Sequence, residues 1–309
     1  MASYIPIRIG TLVPGSVDFD VFVQVGERHV HYIRLGDEIE GDRIKKLREK
    51  GVKKMFITED SEPDYLNYLD RGLDQLGSAT ATKQEKGEVT QTTLQMEARN
   101  AEKSFDSEKT YQRTEERISK IVDFLHNAEG ALSSVLDSSG FSESVDQHAS
   151  NVASISLSLA TRLGVYDTDD LMALAMGALT HDIGKRDLTF DPLKPMSEMS
   201  SGEKETYRKH PDFGVQVLAE KKLITPRILA LIANHEEIGH GTGYPNRLVL
   251  KKQVLPCQIL NLCNHFDRYV MDSKLKPFDA IQKLRTEKQE LFDPTHMEAL
   301  EKILSEKGI

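Results

Sequence analysis

The chain has 309 residues, enough for two domains or one large one, and its 39% hydrophobic and 29% charged residues are those of an ordinary soluble protein. A formal charge of -9 without a Lys/Arg-rich block excludes a general binder of nucleic-acid polymers, which needs a basic face. Cys257 and Cys263 lie in one apolar segment without CxxC or Cys/His spacing, which excludes a disulfide framework and a structural zinc; with no signal-peptide pattern and no run approaching a membrane span, the chain reads as cytoplasmic with no membrane partner.

In residues 1–76, alternation of Phe19, Val21, Val23 and Val25 predicts a half-buried strand, and "VHYIRL" a second after a short connection. "GDRIKKLREKG" predicts a helix capped by its terminal glycine, and "VKKMFIT" another strand. These elements form a small α+β domain of regulatory or interaction character. Residues 77–115 are polar and nearly free of large apolar side chains, so they are expected as a linker or an exposed connecting helix. From residue 116 to 309 the apolar spacing is helical, beginning with Ile118, Ile121, Val122, Leu125, Leu132 and Leu136. No long strand-like run interrupts it. The fold expected is mainly α: a C-terminal helical bundle behind a small α+β domain.

Ten histidines occur, of which His29, His31, His126 and His296 lie in contexts that demand no chemistry. The others fall near the ends of successive predicted helices: His148, His181 with Asp182, His210, His235 with Glu236, His240 and His265. One such histidine is more often a satisfied core residue than a ligand, but one per helix is how a bundle builds a metal site from facing helices. The two oxygens of Asp182 suit a bridge between two cations. Two metals about 3.5–4 Å apart activate a water and stabilise both oxygens of an in-line displacement at phosphorus. Imidazole and carboxylate ligands without thiolate suit iron first and manganese next, then nickel or zinc.

"HDIGK" from His181 to Lys185, "KHPDFGVQVL" from Lys209 to Leu218 and "NHEEIGHGTGYP" from Asn234 to Pro245 resemble the three signatures of HD-GYP proteins, the cyclic di-GMP phosphodiesterase branch of the HD superfamily. "HASNVASISLSLATRLG" from His148 is similar to the family's first histidine helix, and the resemblance runs from about Phe141 to Phe292. It implies an HD-type helical bundle and hydrolysis of cyclic di-GMP, or a related cyclic dinucleotide, by a metal-bridged hydroxide at a binuclear centre. His148, His181 and Asp182 would bind one ion, and Asp182, His210 and His235 the second. Asp182 and Lys185 would be the catalytic residues, Lys185 holding a phosphate oxygen as a compact cation. Gly241 and Gly243 would permit unusual backbone angles in a loop near the guanine pocket. Tyr244 would either contact the nucleotide or anchor that loop. The N-terminal domain resembles the small domain ahead of some HD-GYP modules, which implies a protein partner; helical linkers ahead of such modules point to a homodimer.

Several positions depart from the family pattern. Glu236 stands where most members have a second histidine, and Ser144 where members with a third metal have a glutamate; both changes imply two metals rather than three. Asn264 occupies the place of a last aspartate ligand, with Asp267 as an alternative that the resemblance makes structural. The family's basic substrate stretch reads "DSKLKP", leaving Lys274 and Lys276 as substrate contacts. These departures support a second reading, a catalytically weak or inactive sensor that binds metal and nucleotide and signals through the N-terminal domain.

Overall fold

A computed structural model describes residues 3–52, 54–79, 81–139, 144–288 and 290–305. Phe141, where the resemblance begins, lies outside them. The N-terminal unit contains β1 (Tyr4–Arg8), β2 (Gly15–Ser16), β3 (Val21–Val25), β4 (Arg28–Ile33), β5 (Glu38–Ile39), α1 (Gly41–Glu49), β6 (Lys54–Thr58) and α2 (Glu62–Leu73). The main sheet has the order β1-β6-β3-β4, with antiparallel pairs, and β2 pairs with β5. Alternation puts Ile5 and Ile7 of β1, and Met55 and Ile57 of β6, onto the face that packs on Tyr65 and Leu69 of α2. The expected Phe19–Val25 alternation holds at its start, where Phe19 and Val21 are buried. A register shift between Val21 and Phe22 follows, and Val25 ends exposed.

The segment expected as a linker or exposed connecting helix is instead a buried helix, α3 (Lys83–Ser104). It starts on a reciprocal cap: Thr82 Oγ1 accepts from the Glu85 amide, and the Glu85 carboxylate accepts from the Thr82 amide. Val89, Thr90, Gln91, Thr92, Thr93, Leu94, Met96 and Glu97 are all buried. Composition misleads here because small residues bury by close approach rather than by apolar area. A Cβ on Gly87 would lie 2.1 Å from the carbonyl oxygen of Ser134. The helix joins both cores: Met96 packs with the N-terminal sheet, while Val89, Leu94 and Ala101 pack with the bundle.

The bundle continues through α4 (Glu108–Asn127), α5 (Ala131–Ser139), α6 (Val145–Arg162), α7 (Thr168–Thr180), α8 (Ser201–Tyr207), α9 (His210–Leu218), α10 (Pro226–Asn234), α11 (Leu255–Ser273), α12 (Pro277–Glu287) and α13 (Pro294–Ser305). Side chains of Ser107, Ser144, Asp167, Ser200 and Thr225 accept amide protons at the starts of α4, α6, α7, α8 and α10. Arg117 of α4 ties the two units together, its guanidinium reaching Asp70 of α2 at 2.6 and 2.9 Å and Glu97 of α3 at 2.8 Å. Among the described residues no helix is long and apolar enough to cross a membrane.

Candidate metal centre

His181 caps α7, His210 opens α9 and His235 caps α10. Each returns its Nδ1–H to the carbonyl three residues back, at 2.7 Å in every case: His181 to Ala178, His210 to Tyr207 and His235 to Ile232. A carbonyl only accepts, so Nδ1 carries the proton and Nε2 presents its lone pair. His148, one turn into α6, is fixed differently, donating Nδ1–H to Asp267 Oδ2 at 2.7 Å. Burial pushes His148 and His181 below the usual imidazole range and His210 down to about 3, which keeps these rings neutral.

The four Nε2 atoms converge on Asp182 in the buried interior. Asp182 Oδ1 lies 3.3 Å from His210 Nε2 and 3.5 Å from His235 Nε2; Oδ2 lies 3.4 Å from His181 Nε2 and 3.7 Å from His148 Nε2. His210 and His235 bring their Nε2 atoms within 2.7 Å of each other, and Asn264 Oδ1 sits 3.0 Å from His148 Nε2. Asp182 Oδ1 has no hydrogen-bond partner among the described residues. Lone pairs facing one another among buried side chains repel unless a cation lies between them, so this donor set fits metal ions. Burial opposes ionisation of Asp182, but His181 and Lys185 outweigh it and hold the carboxyl well below its ordinary range. Glu236 adds a second buried carboxylate, 3.7 Å from the Nε2 of both His210 and His235.

Asp267 is not placed to ligate. It stands on the Nδ1 side of His148 and also accepts from Asn151 Nδ2 at 2.9 Å, and Gln91 of α3 donates to Asn151 Oδ1 at 2.8 Å. A buried relay therefore runs from α3 to the His148 ring. Asp267→Asn is expected to lower metal affinity of the His148–His181–Asp182 group about tenfold to a hundredfold and to leave that of the Asp182–His210–His235 group unchanged. A chelator-competition titration checks this; unchanged affinity at both sites would rule the relay out.

The structure brings His148, His181, Asp182, Lys185, His210, His235 and Asn264 together. Lys185 Nζ is 2.6 Å from Asp182 Oδ2 and 4.7 Å above the Tyr207 ring, and burial pushes it down to about 8. Gly243 and Tyr244 line an adjoining cavity of about 400 Å³. The need for glycine at 243 is proximity rather than an unusual angle: a Cβ there would meet Glu236 O and Ile238 N at 2.5 Å, whereas Gly241 does adopt a φ of +74°. The Glu237 carboxylate staples the same loop by accepting from the amides of Asn246 and Leu248. Ser144 acts as the N-cap of α6.

Lys274 and Lys276 are not brought to the site. The helix α11 ends at Ser273, Lys274 turns left-handed at φ 55°, and neither exposed lysine lines the cavity. The cations that do line it are Lys194, Arg208, Arg268 and Lys288. Arg268 is a site residue that sequence reading missed, and Glu236, read there only as a replaced histidine, is a second buried carboxylate of the site. A usable signal existed for each, since Arg268 stands four residues after Asn264 on one helix face and Glu236 adjoins His235.

Residues 133–296, slightly more than half of the chain, match the HD domain family. The chain is 25% identical over 223 residues to the cyclic di-GMP phosphodiesterase response regulator RpfG of Xanthomonas campestris pv. campestris, covering 71% of this chain and 54% of that protein. It is 26% identical over 140 residues to the cyclic di-GMP phosphodiesterase PA4108 of Pseudomonas aeruginosa, covering 45% and 33% respectively. It thus spans about half the length of the first relative and a third of the second. Among solved structures it resembles Bd1817, a HDG"Y"P protein from Bdellovibrio bacteriovorus, with a TM-score of 0.75 and 27% identity over 98% of this chain and 100% of that one.

Proposed function

This chain belongs to the HD domain family as an HD-GYP protein, and from that premise we propose that it is a metal-dependent phosphodiesterase acting on cyclic di-GMP or a related cyclic dinucleotide. The observation that carries the reading is the pair of Nε2 atoms of His210 and His235, 2.7 Å apart beside Asp182 Oδ1, which has no hydrogen-bond partner among the described residues. His148, His181, Asp182 and Asn264 would hold one ion, and Asp182, His210 and His235 the other, with the Glu236 carboxylate beside them engaged by Arg268. The ions would supply Lewis acidity at phosphorus and lower the pKa of the attacking water. Nitrogen and oxygen donors favour iron and then manganese, and both thiols lie apart as core residues, with burial pushing Cys257 to about 11 and Cys263 to about 12.

The chain's own residues do the rest. Lys185, its ammonium held on Asp182, would offset that carboxylate's charge and tune the centre from behind, while Gly243 and Tyr244 would shape the wall for the nucleotide. Lys185→Ala is expected to keep both metals yet lower turnover about tenfold to a thousandfold, the scale of losing one charge-stabilising group. Unchanged turnover at full metal content would remove Lys185 from the machinery.

The direct test is turnover of cyclic di-GMP by protein reconstituted anaerobically with iron or manganese, at measured metal content. Steady hydrolysis supports the enzyme. Full metal loading and nucleotide binding without hydrolysis would favour the sensor reading, for which the uncharged Asn264 and the outward Lys274 and Lys276 speak. In either case the N-terminal unit is read as regulatory, with a protein partner or a second copy of the chain as its target. The buried Gln91–Asn151–Asp267 relay would connect it, through α3, to His148.

A further inference from the structure

We infer that Arg268 is the cavity's receptor for a phosphate oxygen of the substrate, with Glu236 as the residue that positions it. The inference rests on the phosphodiesterase reading. Arg268 Nη1 donates to Glu236 Oε1 at 2.6 Å. Its Nη2 is buried, has no hydrogen-bond partner among the described residues, and stands 3.6 Å from Asp182 Oδ1, beyond hydrogen-bonding reach. The guanidinium carbon sits 5.7 Å from the centre of the Tyr207 ring, and the side chain, 22% exposed, lines the cavity.

Two cations flank the bridging carboxylate, and their states differ. Lys185 is 2% exposed, spends its ammonium on Asp182 at 2.6 Å and does not line the cavity. Arg268, which lines the cavity, holds a donor without a hydrogen-bond partner among the described residues, on its inner side beside Asp182. A buried charged donor left without an acceptor is costly and persists where a ligand supplies the acceptor. A guanidinium holds its N–H groups in one fixed plane, so one prong can rest on Glu236 while the other meets a phosphate oxygen. Glu236 fixes that plane from behind. Without it, the guanidinium is free to close the last distance to Asp182 Oδ1 and occupy the oxygen that faces His210 and His235.

Two probes test this on metal-loaded protein: inorganic phosphate, and the hydrolysis-resistant bis-phosphorothioate of cyclic di-GMP, each titrated by calorimetry. R268Q is expected to keep its metal content and bind both probes about tenfold to a hundredfold more weakly, and R268K to recover only part of the loss because a point charge lacks the fork. E236Q is expected to weaken phosphate binding in the same direction, by misplacing the guanidinium. R268Q binding phosphate as the parent does, or neither protein binding phosphate at all, overturns the role of Arg268. If R268Q does not fold, R268K carries the test: a clear loss of phosphate affinity supports the role and parental affinity overturns it. A parent chain that binds phosphate but not the cyclic dinucleotide sinks the functional reading instead, and the phosphate titrations still decide Arg268.

Discussion

Asp182→Ala is expected to empty both halves of the centre together, whereas Asn264→Ala should weaken one half and leave the other filled. Each oxygen of Asp182 faces a different pair of imidazoles, Oδ1 toward His210 and His235 and Oδ2 toward His181 and His148. Among the described residues it is the one carboxylate in the His148–His181 group, and in the second group Glu236 is engaged by Arg268 at 2.6 Å. Deleting Asp182 also leaves the buried Lys185 ammonium without its counter-charge, so arriving cations meet net repulsion. Asn264 contributes a neutral oxygen to the first group only, and its loss should cost that group on the order of tenfold in affinity. Elemental analysis after anaerobic reconstitution, with circular dichroism to verify folding, reads the difference. Equal metal content in the two variants would contradict the bridging role. Asn264→Asp should move the first site the other way, because it restores a charged ligand.

The histidines of the site were legible because each is tied to a helix end, and helix ends are written locally in caps and apolar spacing. Once His181, His210 and His235 are placed at such ends, the same i-to-i−3 ring contact turns all three Nε2 atoms inward. What escaped was chemistry closed in space. Glu236 and Arg268 are 32 residues apart, and nothing local marks them as a pair. Lys274 and Lys276 fit a basic stretch in one dimension, but the left-handed turn at Lys274 sets them off the cavity. In the fold, α3 was misread because threonine and glycine count as polar or neutral in composition, yet pack as small surfaces. The strand β1 was missed because two alternating isoleucines, Ile5 and Ile7, declare a strand only once β6 lies beside them.

Gly184→Ala is expected to damage the second site specifically, although the substitution adds a single methyl group. Gly184 belongs to the short 3-10 turn Ile183–Asp187 that links Asp182 to Lys185. Its φ is not among the positive values found in the chain, so alanine meets no torsional bar there. The bar is contact: an added Cβ would fall 2.0 Å from the carbonyl oxygen of His210 and 2.5 Å from the amide nitrogen of Gly214, both backbone atoms of α9. No side chain can swing aside, so the turn and α9 must separate, at a cost of about 1–3 kcal/mol in stability. Because His210 opens α9, that separation draws Nε2 away from Asp182 Oδ1, now 3.3 Å off, while His148, His181 and Asn264 lie on other elements. The variant should therefore lose about one ion per chain and unfold at lower denaturant, the two effects sharing one cause. Gly202→Ala serves as the control: nothing lies within 4 Å of its added Cβ, and alanine in α8 should be neutral or stabilising by up to ~1 kcal/mol. A Gly184→Ala protein with parental metal content and an unchanged unfolding midpoint would show that α9 has room to move, and that His210 is held by something other than its contact with the turn.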